Sequence, residues 1–306
     1  MPSAPVQRSD EQVARLPTGI DLCYQTFGDP TDPALLLVMG LAGPLIWWPE
    51  DLCDQLAERG FFVIRYDNRD IGRSTKLPGG SVRRVGALTA ALRGPRARPP
   101  YTMSDLAGDA VGLLDVLSVP ATHVTGVSMG GMIAQTVAIE HPSRVLSLVS
   151  IMSTTGGRWV GWQDPRLLPL LLRNRGADKD SYVRQSMVVS KMIGSPAYPT
   201  SVAEERALAE ATFDRGLSPE GVVRQMQAIL AQPNRAHRLR EVTVPTMVIH
   251  GLADKMVHVS GGRATARAVP GAELLLIPGM GHNLPREVWP QIIDGIERTA
   301  RRSAPV

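Results

Sequence analysis

Serine, histidine and a carboxylate can together open an acyl bond, and this chain holds one of each at suitable positions. Ser128 lies in the run Gly126-Val127-Ser128-Met129-Gly130, between the apolar stretch His123–Val127 and a segment of helical pattern. The bare five-residue pattern is not rare. Its context gives it weight: a buried strand turns into a helix at the serine. Glycines on both sides remove side chains that would clash, and the hydroxyl is lifted clear at the strand end. The Met129 amide points into the same space at a helix N-terminus, where the dipole favours negative charge. A serine hydroxyl is a poor nucleophile until a base removes its proton. His282, in Ile277-Pro-Gly-Met-Gly-His282, follows an apolar strand pattern and precedes a helix, the place for such a base. Asp254, in His250-Gly-Leu-Ala-Asp254, stands at a strand end and supplies the carboxylate. The alternative strand end, after Arg144–Met152, offers Ser153, Thr154 and Thr155 but no acid.

Each of these residues also has a plainer reading. Ser128 could cap a helix and Asp254 could close a turn. The catalytic reading is preferred for Ser128, Asp254 and His282 because of where they fall among the elements. His250 reads as a packed strand-end residue. His123 precedes the serine strand, His141 ends a helix, and His237 and His258 read as surface residues. In Asp67–Ser74, "DNRDIGRS", Asp67 and Arg69 are expected to hydrogen-bond within their loop and brace the elbow.

The positioning elements follow from periodicity. Gly19–Pro30 alternates apolar and polar residues and ends in a turn, so it reads as an early strand, antiparallel or at an edge. Ala34–Gly40 and Phe61–Asp67 are continuous apolar runs flanking Pro49–Arg59, which carries Leu52, Cys53, Leu56 and Ala57 at helical spacing. Ser104–Val119 predicts a helix with Ser104 as N-cap and Leu106, Val111, Leu114 and Leu117 on one face. His123–Val127, Arg144–Met152, Thr246–Gly251 and Ala272–Gly279 are further strands. Met129–Glu140, Ser260–Ala268 and Pro285–Ala300 are further helices. Apolar strands alternating with helices predict an α/β fold, a mostly parallel sheet with helices on both faces.

Thr155–Arg235 interrupts this rhythm with helical patterns and no convincing strand. Residues 1–154 and 236–306 are expected to form the core, and 155–235 an inserted helical cap. Leu167, Leu168, Leu171, Met187, Met192 and Met226 could line an apolar pocket, but packing inside the cap itself is the preferred reading. Trp47 and Trp48, just after the third strand, are better pocket candidates by position. From Lys76 to Pro100 the chain carries Arg83, Arg84, Arg93, Arg96 and Arg98 and no acid. A solvated loop is preferred there over a mobile lid that touches anionic lipid or an acidic substrate.

Composition narrows the field. The chain has 306 residues, is 43% hydrophobic and carries a formal charge of +4, ordinary for a globular protein. That charge alone points to neither nucleic acid nor membrane. Cys23 and Cys53 are too few for a disulfide framework and have no metal-like spacing with histidines, so both are expected to be reduced, buried thiols. No metal or nucleotide cofactor is expected. The N-terminal stretch lacks the apolar core of a signal peptide, no run of 18 apolar residues occurs, and a cytoplasmic protein is the expectation.

Over almost its whole length the sequence resembles the α/β-hydrolase superfamily. "LLLVMG", "VIRYDNRDIGRS", "GVSMGGMIAQ", "VTVPTMVIHG" and "IPGMGH" occur in family order. The nearest likeness is to the actinobacterial esterases and lipases that include aclacinomycin methylesterase. The resemblance implies Ser128 as nucleophile, His282 as base and Asp254 as the acid that orients it. It also implies an oxyanion hole from the amides of Met129 and Leu41. Many relatives have His-Gly where this chain has Met39-Gly40; the backbone donor survives that change, a histidine contribution to the loop does not. The implied activity is hydrolysis of an apolar carboxylic ester through an acyl-enzyme. A phospholipase or acyl thioesterase, a cofactor-free haloperoxidase or perhydrolase side activity, and a non-hydrolytic ligand receptor on the same fold stay open, as do monomer and homodimer. A serine at 128 argues against dehalogenase and epoxide hydrolase chemistry, where relatives carry aspartate.

Overall fold

The computed structural model describes residues 6–78, 99–167, 169 and 178–303. Before Ser128 it contains strands β1 (Gln12–Arg15), β2 (Asp21–Phe27) and β3 (Ala34–Val38), helix α1 (Glu50–Ala57), strand β4 (Phe62–Tyr66) and helix α2 (Met103–Val116). Strand β5 (Thr122–Val127) leads into α3 (Met129–Glu140), and β6 (Val145–Ile151) follows. Among the described residues three α-helices come next: α4 (Lys179–Ile193), α5 (Val202–Asp214) and α6 (Pro219–Ala231). Then come β7 (Thr246–Gly251), α7 (Ser260–Ala268), β8 (Glu273–Ile277) and α8 (Trp289–Arg301). The strands form one sheet in the order β1-β2-β4-β3-β5-β6-β7-β8. β2 pairs antiparallel with β1 and β4, and every other pairing is parallel.

The two-residue period of a strand divides the core between two faces. Leu36 and Val38 of β3 face α2 and α3, in a cluster with Leu106, Leu113, Ile133 and Val137. Leu35 and Leu37 face α1 and α8, among Leu52, Leu56, Ile292 and Ile296. Each such side chain contributes about 1.5–3 kcal/mol by leaving water. Helix α3 is buried from Met129 to Ala138. It lies under both the sheet and α2, which is why its sequence is apolar all round.

Several details differ from the expectation. The Gly19–Pro30 segment forms the antiparallel strand expected of it, but with a neighbour not foreseen: the short, largely exposed β1 lies outside it. Helix α2 starts at Met103 with Thr102, not Ser104, as its cap: Thr102 Oγ1 accepts from the Asp105 amide while the Asp105 carboxylate accepts from the Thr102 amide. Ser104 instead bonds Glu140. The last helix begins at Trp289 after a single 3₁₀ turn, Arg286–Val288. Strand β8, at the far edge, is only partly covered. Cys23 and Cys53 are free buried thiols, both pushed up to about 12 by burial. Most of the basic 76–100 stretch lies outside the described residues, including Arg83, Arg84, Arg93, Arg96 and Arg98, as do Leu168 and Leu171.

His123 on β5 is buried against Ser147 and the edge of Phe61, and burial lowers its pKa to about 4. An unfolded chain protonates histidine near about pH 6.5. Between those values the unfolded state binds more protons, so stability falls as the pH drops through the window. Tm is expected to decline from pH 6.5 to 4, and to decline less steeply in His123→Gln. Identical slopes in the two proteins would remove His123 as the cause.

Candidate active site

The elbow is built by steric exclusion. Ser128 follows β5 with φ of 57° and ψ of −118°, a strained backbone for a residue with a side chain. A Cβ on Gly126 would stand 2.1 Å from the Gly130 carbonyl oxygen, and one on Gly130 would stand 2.0 Å from that of Val38. Only glycine lets α3 start this close to β3 and β5. The bend is pinned from β6: the Ser128 amide donates to Ile151 at 2.9 Å, and Ser153 Oγ donates to the Ser128 carbonyl at 2.7 Å. Ser153 occupies the strand end that lacks an acid, and its hydroxyl braces the elbow instead.

The structure brings the three predicted side chains together. His282 Nε2 lies 3.0 Å from Ser128 Oγ, and its Nδ1 lies 2.7 Å from Asp254 Oδ2. With Asp254 ionised, the tautomer that satisfies both contacts has Nδ1–H donating to the carboxylate and a free lone pair on Nε2. Asp254 is buried, and its Oδ1 accepts the amides of Met256 and Val257. Burial alone would raise its pKa, but His282 and His250 hold it far below the usual carboxylate range. His250 is fully buried at the end of β7, its Nε2 at 2.8 Å from the Val257 carbonyl, as a packed strand-end residue should be. The His282 loop is tied to the end of α4: the His282 amide donates to Ile193 at 2.7 Å and the Gly281 amide to Ser195 Oγ at 2.8 Å.

The two backbone amides expected to form an oxyanion hole belong to Met129 and Leu41. Met129 is the first residue of α3. Leu41 follows Gly40, whose backbone runs so close to the elbow that a Cβ there would lie 3.6 Å from Ser128 Oγ. Among the described residues neither amide N–H donates to another protein group. The loop after β3 is held from outside. Asn68 Nδ2 donates to the Met39 carbonyl at 3.0 Å, and the Leu45 amide donates to Asp67 Oδ1 at 2.6 Å. Met39 itself packs into the core.

The loop Asp67–Ser74 reaches further than its own residues. Arg69 does not bond within the loop; it pairs with Asp109 of α2 at 2.5 Å. Asp67 pairs with Arg215 just after α5 at 2.8 Å, and Asp70 pairs with Arg224 of α6 at 2.6 Å. All four side chains of these last two pairs are buried. Burial would raise Asp70, but Arg224, the Leu77 amide and the Tyr101 hydroxyl keep it below its ordinary range. These arginines were invisible to sequence reasoning, because their partners lie 148 and 154 positions away.

Of the two tryptophans, Trp47 is half-buried and its Nε1 donates to Thr212 of α5 at 3.0 Å. Trp48 is not a pocket residue: it is fully buried in the core beside Leu35, Leu37 and Leu52. Consecutive residues around a 3₁₀ turn point in different directions, and Leu45–Trp47 is such a turn. Met187 packs against Tyr182, Val183 and Ala209, joining α4 to α5, and Leu167 is buried. Among the described residues no group of three or more His, Cys, Asp or Glu could hold a metal ion, and no helix is long and apolar enough to cross a membrane.

Comparison with known proteins agrees with this architecture. A family described as the alpha/beta hydrolase fold matches residues 33–285. Rhodomycin D methylesterase DauP of Streptomyces sp. (strain C5) is 29% identical over 292 residues, covering 88% of this chain and 91% of that protein. 3-Oxoadipate enol-lactonase 2 of Acinetobacter baylyi is 26% identical over 248 residues, covering 80% of each. Among solved structures, a hydrolase from Pseudomonas aeruginosa PA01 superposes with a TM-score of 0.70 at 24% identity, covering 96% of this chain and 99% of that one.

The elbow geometry makes a direct demand. Gly130→Ala must push a methyl group into the Val38 carbonyl, and is expected to cost about 3 kcal/mol or more, read as a clear fall in Tm or loss of soluble protein. A Tm within 2 °C (roughly 1 kcal/mol or less at this size) of the parent would mean that the close approach of α3 to β3 is not required.

Proposed function

We propose that this chain, which belongs to the alpha/beta hydrolase family, is a carboxylic ester hydrolase that works through an acyl-enzyme on Ser128. The observation that carries the reading is the unbroken contact from Ser128 Oγ through His282 to a buried, ionised Asp254. In the first half-reaction His282 Nε2 takes the hydroxyl proton while Ser128 Oγ bonds the acyl carbon. The carbonyl oxygen becomes an oxyanion held by the Met129 and Leu41 amides. The carbon–oxygen bond to the alcohol then breaks, and His282 returns its proton to the leaving alkoxide. In the second half, water gives a proton to His282, its oxygen attacks the acyl carbon, and Ser128 leaves with the proton. Asp254 keeps the imidazole in the right tautomer and stabilises it while charged.

A methylesterase relative at 29% identity and an enol-lactonase relative at 26% both favour an oxygen-ester bond. In this reading α4, α5 and α6 act as a cap over the strand ends. The half-buried Leu41, Trp47 and Met226 supply apolar surface for a small, apolar ester.

A ladder of chromogenic esters of increasing acyl length tests the proposal. Wild type is expected to turn over at least one rung. Ser128→Ala and His282→Ala are expected to lose about a millionfold, and Asp254→Asn about ten-thousandfold, each with the fold retained by circular dichroism. If Ser128→Ala keeps more than a tenth of the wild-type rate, the assignment is wrong.

A further inference from the structure

We propose that Gln225 is a positioning residue for the oxyanion hole, through which α6 sets the turn that presents the Leu41 amide; this rests on the reading of Ser128 as nucleophile and of the Leu41 amide as an oxyanion donor. Gln225 is fully buried and contributes both ends of its amide to the loops beside the site. Its Oε1 accepts the Ala42 amide at 3.1 Å, and its Nε2 donates to the Arg69 carbonyl at 3.1 Å. It therefore spans from the loop after β3 to the loop after β4, and is itself carried by an element 183 positions from Ala42.

The turn needs such a clamp. The Gly43 amide donates to the Gly40 carbonyl at 3.2 Å, so Gly40–Gly43 is a β-turn with Leu41 and Ala42 at its centre. Ala42 has φ of 62°, the signature of a type II turn at its third position, where glycine is the usual occupant. An alanine there is strained, and rotating the Leu41–Ala42 peptide would give the more common type I turn. That rotation would turn the Ala42 N–H away from Gln225; the Leu41 N–H, the oxyanion donor in this reading, lies in the preceding peptide, and Gln225 acts on it by anchoring the turn in place. The hydrogen bond from Ala42 to Gln225 opposes the rotation. Gln225 is held in turn by its neighbour: Arg224 makes the buried pair with Asp70. Arg69, whose carbonyl takes the other end of the amide, is fixed by Asp109. Asn68 and Asp67 hold the two ends of the loop from the core side. Only the centre of the turn is held from α6, so displacement of that helix is transmitted to one donor of the hole and not to the Ser128–His282–Asp254 contacts.

The test separates positioning from structure. Gln225→Met keeps length and volume but can accept no useful bond from Ala42; Gln225→Ala removes the side chain should methionine disturb packing. Both are expected to lower kcat for a turned-over ester about 10- to 100-fold, less than deletion of a whole oxyanion donor, while KM changes less than about threefold. Affinity for a boronic acid, which forms a tetrahedral anion on the serine, is expected to fall by the same factor as kcat/KM. Affinity for the uncharged product alcohol is expected to stay put. The pH dependence of kcat/KM should not move, since Asp254 and His282 are untouched. The inference is overturned if both variants keep kcat and boronate affinity within twofold of wild type, or if KM rises while kcat holds. Loss of hydrolysis in Ser128→Ala is scored separately: if that variant stays active, the parent reading fails; if it is dead and Gln225→Met is normal, only the role of Gln225 fails.

Discussion

Ser128 Oγ and His282 Nε2 stand 3.0 Å apart, the gap a proton crosses in the proposed reaction, and the rest of the architecture serves that distance. The partners lie 154 positions apart, and His282 meets its carboxylate 28 positions back. No local segment could bring them together. The parallel sheet does, because β5, β7 and β8 all run the same way and each ends at the same edge. Ser128, Asp254 and His282 sit just beyond those three ends. β6 separates β5 from β7, so the ends of β5 and β8 are about 14 Å apart at strand spacing, and the loops after β7 and β8 carry Asp254 and His282 back to Ser128.

That alignment is held by polar groups taken out of water. Asp67, Asp70 and Asp109 are all buried, and each faces an arginine from another element. Buried pairs of this kind add little net stability, since desolvation offsets most of their attraction, but losing one partner strands a charge and is expensive. Their value lies in geometry. The loop Asp67–Ser74 is thereby locked to α2, to the turn after β3 and to the helices between β6 and β7. From that segment Ile193 and Ser195 hold the His282 loop, Thr212 holds Trp47, and Gln225 holds Ala42 in the turn after β3.

Much of this was legible in the order of the residues. The strands beside Ser128 announced themselves as continuous apolar runs, because both faces of a central parallel strand are covered. Ser128 stood out through its glycines, which are required where a Cβ would stand 2.1 Å from a backbone carbonyl oxygen. Other features carried no local signal. β1 is a four-residue polar strand at an edge, with too little burial to leave a pattern. The choice of Thr102 over Ser104 as cap depended on a reciprocal bond with Asp105 that a single residue type does not reveal. Arg69 was expected to bond within its loop, but its partner came from α2. Trp47 and Trp48 look alike in sequence and diverge through the rotation of one 3₁₀ turn. Gln225, Arg215 and Arg224 read as ordinary helix residues until the fold places acids and amides against them.

The central claim is that one hydroxyl, and no other, is activated by its neighbours. A fluorophosphonate reports this directly, since it bonds covalently to an activated serine with loss of fluoride. Peptide mass spectrometry after brief exposure should find one adduct per chain, on the peptide containing Ser128, and none when His282 is replaced by alanine. An unlabelled Ser128 under conditions that modify another serine, or equal labelling with and without His282, would contradict the account.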